Sequence, residues 1–473
     1  MWTNEEIITA TKGALQGSAF EAMSVTIDSR KAEQGGLFIA LKGDRADGHD
    51  YLKEAFARGA AAALVHRIPE GFSGHASVIV VDDTYKALVD LAVAARARTK
   101  AKIIGITGSV GKTGTKEALR MALASAGKVY ATQGNLNNHI GLPLSLANLP
   151  RDAKFGVFEL GMNHAGEISF LSRIVRPDIA VITNVEAVHL EFFSNVEAIA
   201  DAKAEIMEGM AENGVIILNR DNRFYNRLHD QALAHGLKHI VSFGAHTEAQ
   251  CRLISYALVD FASQIEAMIY GTPVTYRLGT VGGHWAMTSL AAIAVVVAAG
   301  ADLADAAASL EHFHEPDGRG RLHRIKNGKG TLTLIDDCYN ASPVSMQAGI
   351  AKLAELHAGM DSGARKIVVL GDMLELGIAS VDLHKSLQPV LEQYHVDKLY
   401  AAGPLMKHLY DALPAAMQGA YEKNAALLAE VLRKELQPGD IVLIKGSRGS
   451  RMDMVRDALM ATPHIVKETA DAV

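Results

Sequence analysis

The stretch ITGSVGKTGTKE, residues 106–117, joins the β-rich run KIIGIT to a helical pattern and decides which fold surrounds it. A glycine-rich turn between a strand and a helix N-terminus directs backbone N–H groups towards phosphate. Lys112 can reach the β- and γ-phosphates of a nucleotide, and the Thr113 hydroxyl can bind Mg²⁺. The usual P-loop has a further glycine where Ile106 stands. The stretch therefore predicts a nucleotide-phosphate site with an unusual loop, the alternative being only a tight strand-to-helix turn.

Alternating strand and helix patterns surround this loop. The buried-strand runs FGVFEL, IAVITN, GVIILN and HIVSF follow it, and a helix over TGTKEALRMALASAG is expected to end at Gly127. This rhythm predicts a mostly parallel sheet with helices on both faces. The first residues instead carry the short strands SVTIDSR, GGLFIAL, AAALVH and SVIVVDD, with one helix near residues 51–59.

A Pro- and Gly-containing stretch, FHEPDGRGRLHRI at residues 313–325, predicts a hinge. Beyond it the rhythm restarts with TLTLIDD, KIVVLGD, DKLYAAG and DIVLIKG. At about 150 residues per domain, the 473 residues suit about three domains. We therefore predict an α/β protein with a small N-terminal α/β substrate domain (1–83), a central P-loop-type ATPase domain (84–315) and a C-terminal Rossmann-like α/β domain (316–473).

Composition excludes several classes of protein. Hydrophobic residues make up 49% and charged residues 21%, which indicates buried cores rather than disorder. A net charge of −6 disfavours a nucleic-acid partner. Cys251 and Cys338 are the only cysteines, which fits a reducing compartment.

The N-terminus and the longest apolar run give no sign of membrane targeting. MWTNEEIITATKG lacks the regions of a signal peptide, and Thr3 with Glu6 predicts a helix-capping box. The run at residues 290–299 is about half the ~20 residues that a membrane span needs, so it predicts a buried helix. We expect a cytoplasmic protein without membrane insertion.

Polar side chains near predicted strand ends are candidates for chemistry. Glu159 ends one strand at the edge where α/β sheets bind ligands, and its carboxylate suits Mg²⁺, although it could simply face solvent. His189 follows another strand, and a lone histidine is more often structural. Lys203 shares an apolar helix stripe with Ile199 and Ile206, where it could be a lysine that reaches out of the core. A capping box at Ser194 and Glu197 is expected to start that helix.

The last third of the chain presents similar loops. LIDDCYNASP ends a strand at Asp336 and Asp337, and Pro343 is expected to start a helix, so simple capping is the alternative. VLIKGSRGSRMDMV presents Lys445, Ser447 and Arg448 as an anion cradle or as a solvated turn.

Taken together, these segments resemble the Mur ligase family of ATP-dependent amide ligases in peptidoglycan synthesis, over nearly the whole chain. The resemblance is carried by DSRKAEQGGLFIALKGDRADGHDY, GNLNNHIGLPLSL, ELGMNHAGEI, DDCYNASPVSM, GDMLELG and KGSR. The family loop reads Thr-Gly-Thr/Ser-x-Gly-Lys-Thr/Ser, which Thr107 to Thr113 match in full, so the missing glycine is normal for the family. The absence of an Asp-Asn-Pro-Arg motif favours the member that adds D-Ala-D-Ala.

The resemblance implies the site residues. The ATP-binding residues are Thr107, Gly108, Ser109, Val110, Gly111, Lys112, Thr113, Gly114, His284, Arg319 (or Arg321 in its place) and Asp337. Thr113, Glu159, His189 and Lys203 would hold two Mg²⁺ ions, with a carbamate on Lys203, and Lys112, Asn138, His189 and Lys203 would be catalytic. The substrate-binding residues are Ser29, Arg30, Lys42, Gly43, Asp47, Gly48, His49, Asn135, Asn138, His164, Tyr339, Asn340, Lys445, Ser447 and Arg448.

Electrostatics supports the implied carbamate. An ammonium about 4 Å from Mg²⁺ would cost on the order of 8 kcal/mol at an effective dielectric of ~20, whereas a carbamate reverses the sign. Three positions depart from the family pattern: Trp285 replaces an Asn that helps read adenine, Asp453 replaces a Glu, and Ser342 replaces an Asn. Trp285 could stack on the base, or His284 alone could serve.

The implied reaction joins a peptide carboxylate of UDP-N-acetylmuramoyl-tripeptide to the amine of D-Ala-D-Ala through an acyl phosphate. The expected partners are these two substrates and ATP, without nucleic acid, and a monomer is expected. Two other interpretations remain: a ligase like folylpolyglutamate synthetase, and a nucleotide-binding regulator without ligase activity. The UDP-type first segment argues against the former, and intact Lys112, Thr113, Glu159, His189 and Lys203 argue against the latter.

Overall fold

The computed structural model describes residues 1–70, 76–327, 330–359 and 363–461. Three α/β units follow one another along the chain, each with its own sheet. Across the described residues, every helix falls short of the length and apolar character that a membrane crossing needs.

The N-terminal unit is a small sheet in the order β2-β7-β6-β5-β4, in which β2 is antiparallel to β7 and the other strands are parallel. The predicted capping box at Thr3 and Glu6 is confirmed. The elements are β1 (Trp2–Thr3), α1 (Asn4–Thr11), β2 (Ala14–Gln16), β3 (Glu21–Ala22), β4 (Val25–Thr26), β5 (Leu37–Ile39), α2 (Leu52–Ala57), β6 (Ala62–Val65), β7 (Ser77–Val80) and α3 (Thr84–Arg98).

The central unit is a larger sheet in the order β16-β15-β14-β13-β12-β11-β8-β10-β9. Its strands run parallel from β9 to β14, and β14, β15 and β16 form an antiparallel extension that the sequence did not predict. The elements are β8 (Lys102–Thr107), α4 (Lys112–Ala122), β9 (Val129–Ala131), α5 (Gly141–Ala147), β10 (Phe155–Glu159), α6 (Glu167–Val175), β11 (Ile179–Ile182), α7 (Val196–Ala204), β12 (Val215–Asn219), α8 (Tyr225–Ala234), β13 (His239–Gly244), β14 (Cys251–Val259), β15 (Ala262–Ile269), β16 (Thr272–Leu278), α9 (Gly283–Ala298) and α10 (Leu303–Ser309).

Two predicted helix ends in this unit are wrong. Helix α4 ends at Ala122 rather than Gly127, and Gly127 lies beyond it with φ +152°, a conformation that other residues rarely adopt. Helix α7 is capped by Asn195, whose side chain accepts from the Ala198 N–H, rather than by Ser194. Asn and Ser cap helices about equally well, so residue type alone could not decide which of the two is the N-cap. The apolar run at residues 290–299 lies in the buried helix α9, as predicted.

The C-terminal unit has the sheet order β17-β18-β22-β19-β20-β21, parallel except for the edge strand β17. Pro343 begins a helix, as predicted, and Ser342 caps it. The elements are β17 (Arg321–Asn327), β18 (Gly330–Asp337), α11 (Pro343–Ala358), β19 (Lys366–Gly371), α12 (Ser380–Lys385), α13 (Gln388–Gln393), β20 (Lys398–Ala402), α14 (Met406–Ala412), β21 (Gln418–Glu422), α15 (Ala425–Glu435), β22 (Ile441–Lys445) and α16 (Asp453–Met460).

The two larger sheets turn their carboxyl ends towards a shared cavity. In the central sheet Glu159 pairs in register with Ile106, next to the phosphate loop. In the C-terminal sheet Asp337 pairs with Lys445. Glu159, Asp337 and Lys445 border the same cavity, at the sheet edge where ligands bind in open α/β sheets.

Candidate active site

A cavity of about 630 Å³ lies between the central and C-terminal units. One wall carries the phosphate loop, Glu159 and His189, and the facing wall carries residues of β18, β22 and the loops that follow them. From the predicted site its lining contains Ser109, Val110, Gly111, Lys112, Thr113, Gly114, Asn135, Glu159, His189, His284, Arg319, Asp337, Tyr339, Asn340, Lys445, Ser447 and Arg448.

The phosphate loop has the backbone that its glycines predict. Gly108 (φ +151°) and Gly111 (φ +89°) adopt conformations that residues with a Cβ rarely take, and a Cβ at Gly108 would lie 1.9 Å from Thr183 Oγ1. Gly111 immediately precedes α4. The Lys112 ammonium donates to the Gly108 carbonyl, across the loop. Burial lowers the pKa of Lys112 to about 8, while Glu159 acts in the opposite direction.

Glu159 lies buried beside Thr113 at the end of β10. Its Oε2 accepts from the Thr113 hydroxyl at 3.1 Å, and its Oε1 has no hydrogen-bond donor among the described residues, although Lys116 Nζ lies 3.3 Å away. A carboxylate next to a hydroxyl offers the hard oxygen ligands that Mg²⁺ prefers, so this pair fits the metal. In the described part of the chain, no group of three or more His, Cys, Asp or Glu side chains is arranged to hold a metal ion.

His189 reaches across to the C-terminal unit. It has a left-handed backbone (φ +56°), and its Nδ1 donates to Glu375 Oε2 at 2.6 Å. Burial lowers the pKa of His189, against the effect of the Glu375 carboxylate. Glu375 lies in the segment GDMLELG, which carries part of the family resemblance but gives Glu375 no predicted role. Its partner lies far away in the chain, so no local signal could have assigned it.

Lys203 lies in the last turn of α7 and is 2% exposed, so it does not reach out to solvent. Burial, reinforced by the nearby Lys112 charge, lowers the pKa of Lys203 well below its usual value. No carboxylate of the described residues pairs with it. Burial therefore disfavours the charged form of the amine at this position.

The facing wall combines one buried ion pair with two arginines. Lys445 Nζ donates to Asp337 Oδ2 at 2.6 Å and to the Asn340 carbonyl at 3.0 Å, so its charge is already paired. Burial raises the pKa of Asp337, against the effect of Lys445. The Arg319 and Arg448 guanidinium carbons lie 4.3 Å and 6.0 Å from the Tyr339 ring centre.

His284 and Trp285 lie in the first turn of helix α9, at one side of the cavity. Burial, with Lys352 and Lys445 acting in the same direction, lowers the pKa of His284 to about 3. Trp285 is 5% exposed and packs against Phe313, with ring centres 5.3 Å apart. A Cβ at Gly114 would lie 2.7 Å from Trp285 Cζ3, so this glycine makes room for the indole.

The other predicted residues lie outside the cavity lining. Asn138 Oδ1 accepts from the Gly141 N–H at the start of α5, and His164 contacts Glu167. In place of Asn138, the neighbouring Asn137 borders the cavity, although GNLNN contains both residues and the sequence does not distinguish them. The remaining residues outside the lining are Ser29, Arg30, Lys42, Gly43, Asp47, Gly48, His49, Thr107, Gly108 and Lys203.

Several of the predicted residues in the N-terminal unit contact other residues of the same unit. Ser29 Oγ donates to Glu54 Oε2 at 2.7 Å, and Arg30 pairs with Asp28. His49 is buried, with Nδ1 donating to Asp47 and Nε2 accepting from the His66 N–H.

Comparison with known proteins gives one consistent family. The profile described as "Mur ligase middle domain" matches residues 106–296, "Mur ligase, glutamate ligase domain" matches 320–448, and "Mur ligase family, catalytic domain" matches 21–96. The UDP-N-acetylmuramoyl-tripeptide–D-alanyl-D-alanine ligase of Rickettsia prowazekii is 35% identical over 454 residues, covering 96% of this chain and 99% of the relative.

Solved structures agree with the sequence relatives. A MurF structure from Acinetobacter baumannii superposes with a TM-score of 0.84 at 30% identity, covering 98% of this chain and 99% of that one. MurF from Thermotoga maritima, solved in complex with ADP, has a TM-score of 0.78 at 28% identity, covering 92% and 97% of the two chains. The predicted three-domain α/β fold is confirmed by these matches.

Proposed function

The chain belongs to the Mur ligase family, and we infer that it joins D-alanyl-D-alanine to UDP-N-acetylmuramoyl-tripeptide in an ATP-dependent reaction. The observation that carries this inference is the shared cavity in which the phosphate loop and Glu159 face Arg319 and Arg448. Similarity over nearly the full length of the relatives argues against a folylpolyglutamate synthetase activity. The product is the pentapeptide precursor of peptidoglycan.

ATP is needed because a free carboxylate is a poor acylating agent. The peptide carboxylate attacks the γ-phosphate, giving an acyl phosphate and ADP. The amine of D-Ala-D-Ala then attacks the acyl carbon, loses a proton and expels phosphate. The protein contributes position and charge: Lys112 and the loop N–H groups hold the nucleotide phosphates, and Arg319 and Arg448 neutralise charge from the facing wall.

The metal and the carbamate are part of the same proposal. Thr113, Glu159 and His189 would hold two Mg²⁺ ions together with a carbamate on Lys203. Bound Mg²⁺ would shield the phosphate charges as the phosphoryl group moves. Burial disfavours the ammonium form of Lys203, and this supports the modification, because an uncharged amine attacks CO₂ and then loses one proton to become an anionic carbamate.

The N-terminal unit is proposed to bind the UDP-sugar end of the substrate. Arg30 supports this role because its side chain is 77% exposed, and it precedes the loop with Lys42 and Gly43. Asp47, Gly48 and His49 are proposed to keep that loop in shape; a Cβ at Gly48 would lie 2.8 Å from the Leu41 backbone.

We also propose a monomer in the cytoplasm. Cys251 and Cys338 are both buried free thiols, which supports a reducing compartment. Light scattering of the purified protein tests the monomer. The division at residues 83 and 315 stays a proposal, and limited proteolysis tests it.

Phosphate release from ATP tests the function. The purified protein is assayed with UDP-N-acetylmuramoyl-tripeptide, with and without D-Ala-D-Ala. We expect sustained release only when both substrates are present, with a matching mass increase of the UDP-linked peptide. Release that does not depend on the dipeptide contradicts the assignment. Release that needs a folate and glutamate instead supports the alternative ligase.

A further inference from the structure

Lys116 is a second lysine of helix α4, one turn beyond Lys112, and its side chain is buried. The two ammonium groups have different surroundings. Lys112 contacts the phosphate loop and lines the cavity, whereas Lys116 does not line it and is only 2% exposed. Nothing in the proposed reaction uses Lys116, and burying an ammonium requires compensation by nearby oxygen atoms.

Oxygen atoms of three residues surround the Lys116 ammonium, which has three N–H donors. Nζ donates to the Thr132 carbonyl at 2.7 Å and lies 3.0 Å from Glu117 Oε1 and 3.3 Å from Glu159 Oε1. Thr132 also contacts the end of β10, since its Oγ1 accepts from the Glu159 N–H at 3.4 Å. The Lys116 side chain therefore connects α4 and the end of β9 to the Glu159 carboxylate.

The two oxygen atoms of Glu159 are held differently. Oε2 accepts from the hydroxyl of Thr113, which borders the cavity, and Oε1 faces Lys116, which does not. We propose that Lys116 is a positioning residue, which holds the Glu159 carboxylate in the orientation that presents Oε2 with the Thr113 hydroxyl as a Mg²⁺ site. This inference rests on the proposed function, because it takes Glu159 as a metal ligand.

Two effects of Lys116 on the metal oppose each other. Its positive charge repels a nearby cation, so losing the charge alone would tighten Mg²⁺ binding. Its contact with Oε1 orients the ligand, so losing the contact would weaken binding. Residues that orient metal ligands typically contribute about 10- to 100-fold to metal affinity. Orientation dominates in this proposal because Glu159 is buried and, among the described residues, Lys116 is the only ion-pair partner of Oε1, which accepts no hydrogen bond.

The test compares Lys116→Met with the wild type by calorimetric titration of ADP, in EDTA and over a range of Mg²⁺ concentrations. Met keeps the length of the apolar stem and removes the ammonium. We expect ADP affinity in EDTA to be unchanged, because the loop and Lys112 remain. The Mg²⁺ concentration that gives half of the Mg²⁺-dependent change in ADP affinity should rise about 10- to 100-fold. Electron paramagnetic resonance of Mn²⁺ with ADP gives the same comparison without enzyme turnover.

Glu117→Gln is the matched control. Glu117 contacts Lys116 from the side of Arg120, with Oε2 2.8 Å from the Arg120 Nε, and it does not line the cavity. Loss of the Glu117 charge should leave the Mg²⁺ dependence of ADP affinity unchanged. An unchanged or tighter Mg²⁺ response in Lys116→Met overturns the proposal. If ADP binding to the wild type does not depend on Mg²⁺, the proposed metal site is contradicted instead. Failure of the metal site can therefore be distinguished from failure of the positioning role of Lys116.

A second variant covers the case in which Lys116→Met does not fold. Lys116→Met/Glu159→Gln removes both charges and leaves a pair of similar volume. If the double variant folds with a melting temperature near that of Glu159→Gln, Lys116 acts through Glu159, as proposed. If it is as unfolded as the single variant, Lys116 acts only through Thr132 and Glu117, and the proposal is wrong.

Discussion

Lys203 shows how far one residue can be understood from its neighbours in sequence. Its spacing from Ile199 and Ile206 predicts a place on an apolar stripe, but the same spacing suits a lysine that reaches solvent. The structure buries the side chain and lowers its pKa. Local spacing does not show whether other elements cover a helix face, so only the family resemblance could favour a buried, modified lysine.

Lys203→Ala should lower the rate of D-Ala-D-Ala-dependent phosphate release by about 10²- to 10³-fold, because a preorganised charge is lost from the site. A short-chain carboxylate in the buffer should partly restore the rate by filling the space of the carbamate. Lys238→Ala, at a lysine that is 69% exposed, is the control and should leave the rate unchanged. Wild-type turnover in Lys203→Ala would show that the carbamate assignment is wrong.

At the level of elements, the parallel core could be predicted and the antiparallel extension could not. Strand β8, the loop and the start of α4 follow the predicted order because apolar runs and glycines mark them. The β14–β15 turn at Asp260 and Phe261 has positive φ at both residues (49° and 59°). Such turns are normally recognised by Asn-Gly or Asp-Gly. With Phe in the second position and long exposed stretches in β14, the sequence offers no hairpin signal.

Gly108→Ala should weaken ADP binding at least about tenfold, because φ +151° and the contact with Thr183 both exclude a Cβ and strain of about 1–3 kcal/mol must be relieved by moving the loop. Gly300→Ala is the matched control, since Gly300 also has a positive φ (73°), but within the described residues no atom lies closer than 4 Å to the place that a Cβ would take. Calorimetry should show normal ADP affinity for the control. Equal loss in both variants would indicate general destabilisation rather than loop distortion.

For the whole molecule, the sequence predicts the hinge but not the contacts that hold the units across it. The Pro- and Gly-containing segment 313–325 indicates a connection between domains. Side-chain contacts then join the central and C-terminal units: His189 with Glu375, Tyr256 with Glu355, and the buried Thr280–Glu315–Lys352 cluster. Each contact pairs residues that are distant in sequence and ordinary in their local context, so patterning could not find them.

Tyr256→Phe tests the contact of the β14–β15 hairpin with helix α11. The Tyr256 hydroxyl donates to Glu355 Oε1 at 2.9 Å, and Leu258 packs against the C-terminal core. Because Tyr256 is partly exposed, we expect a loss of about 1 kcal/mol in the free energy of unfolding. Hydrogen exchange should increase in α11 and the hairpin, with ADP affinity unchanged. Leu258→Ala should add to the effect, and unchanged exchange in both variants would show that the hairpin does not brace the two units.

The buried cluster at the hinge gives the strongest prediction for the whole molecule. Glu315, in the hinge segment, accepts from Thr280 of the central unit and from Lys352 of α11. Lys352 Nζ also donates to the Gly320 carbonyl at 2.8 Å. Lys352→Met leaves the Glu315 carboxylate buried without its cation, so the free energy of unfolding should fall by about 3–5 kcal/mol.

Two further variants separate charge from packing at this hinge. Lys352→Met/Glu315→Gln removes both charges and should recover most of the lost stability in calorimetric unfolding, because no unpaired charge remains. Since Lys352 also contributes to the low pKa of His284, nuclear magnetic resonance should detect a rise of that pKa from about 3 in the folded double variant. If the double variant is no more stable than Lys352→Met, the bond from Lys352 to Gly320 rather than the ion pair holds the two units together.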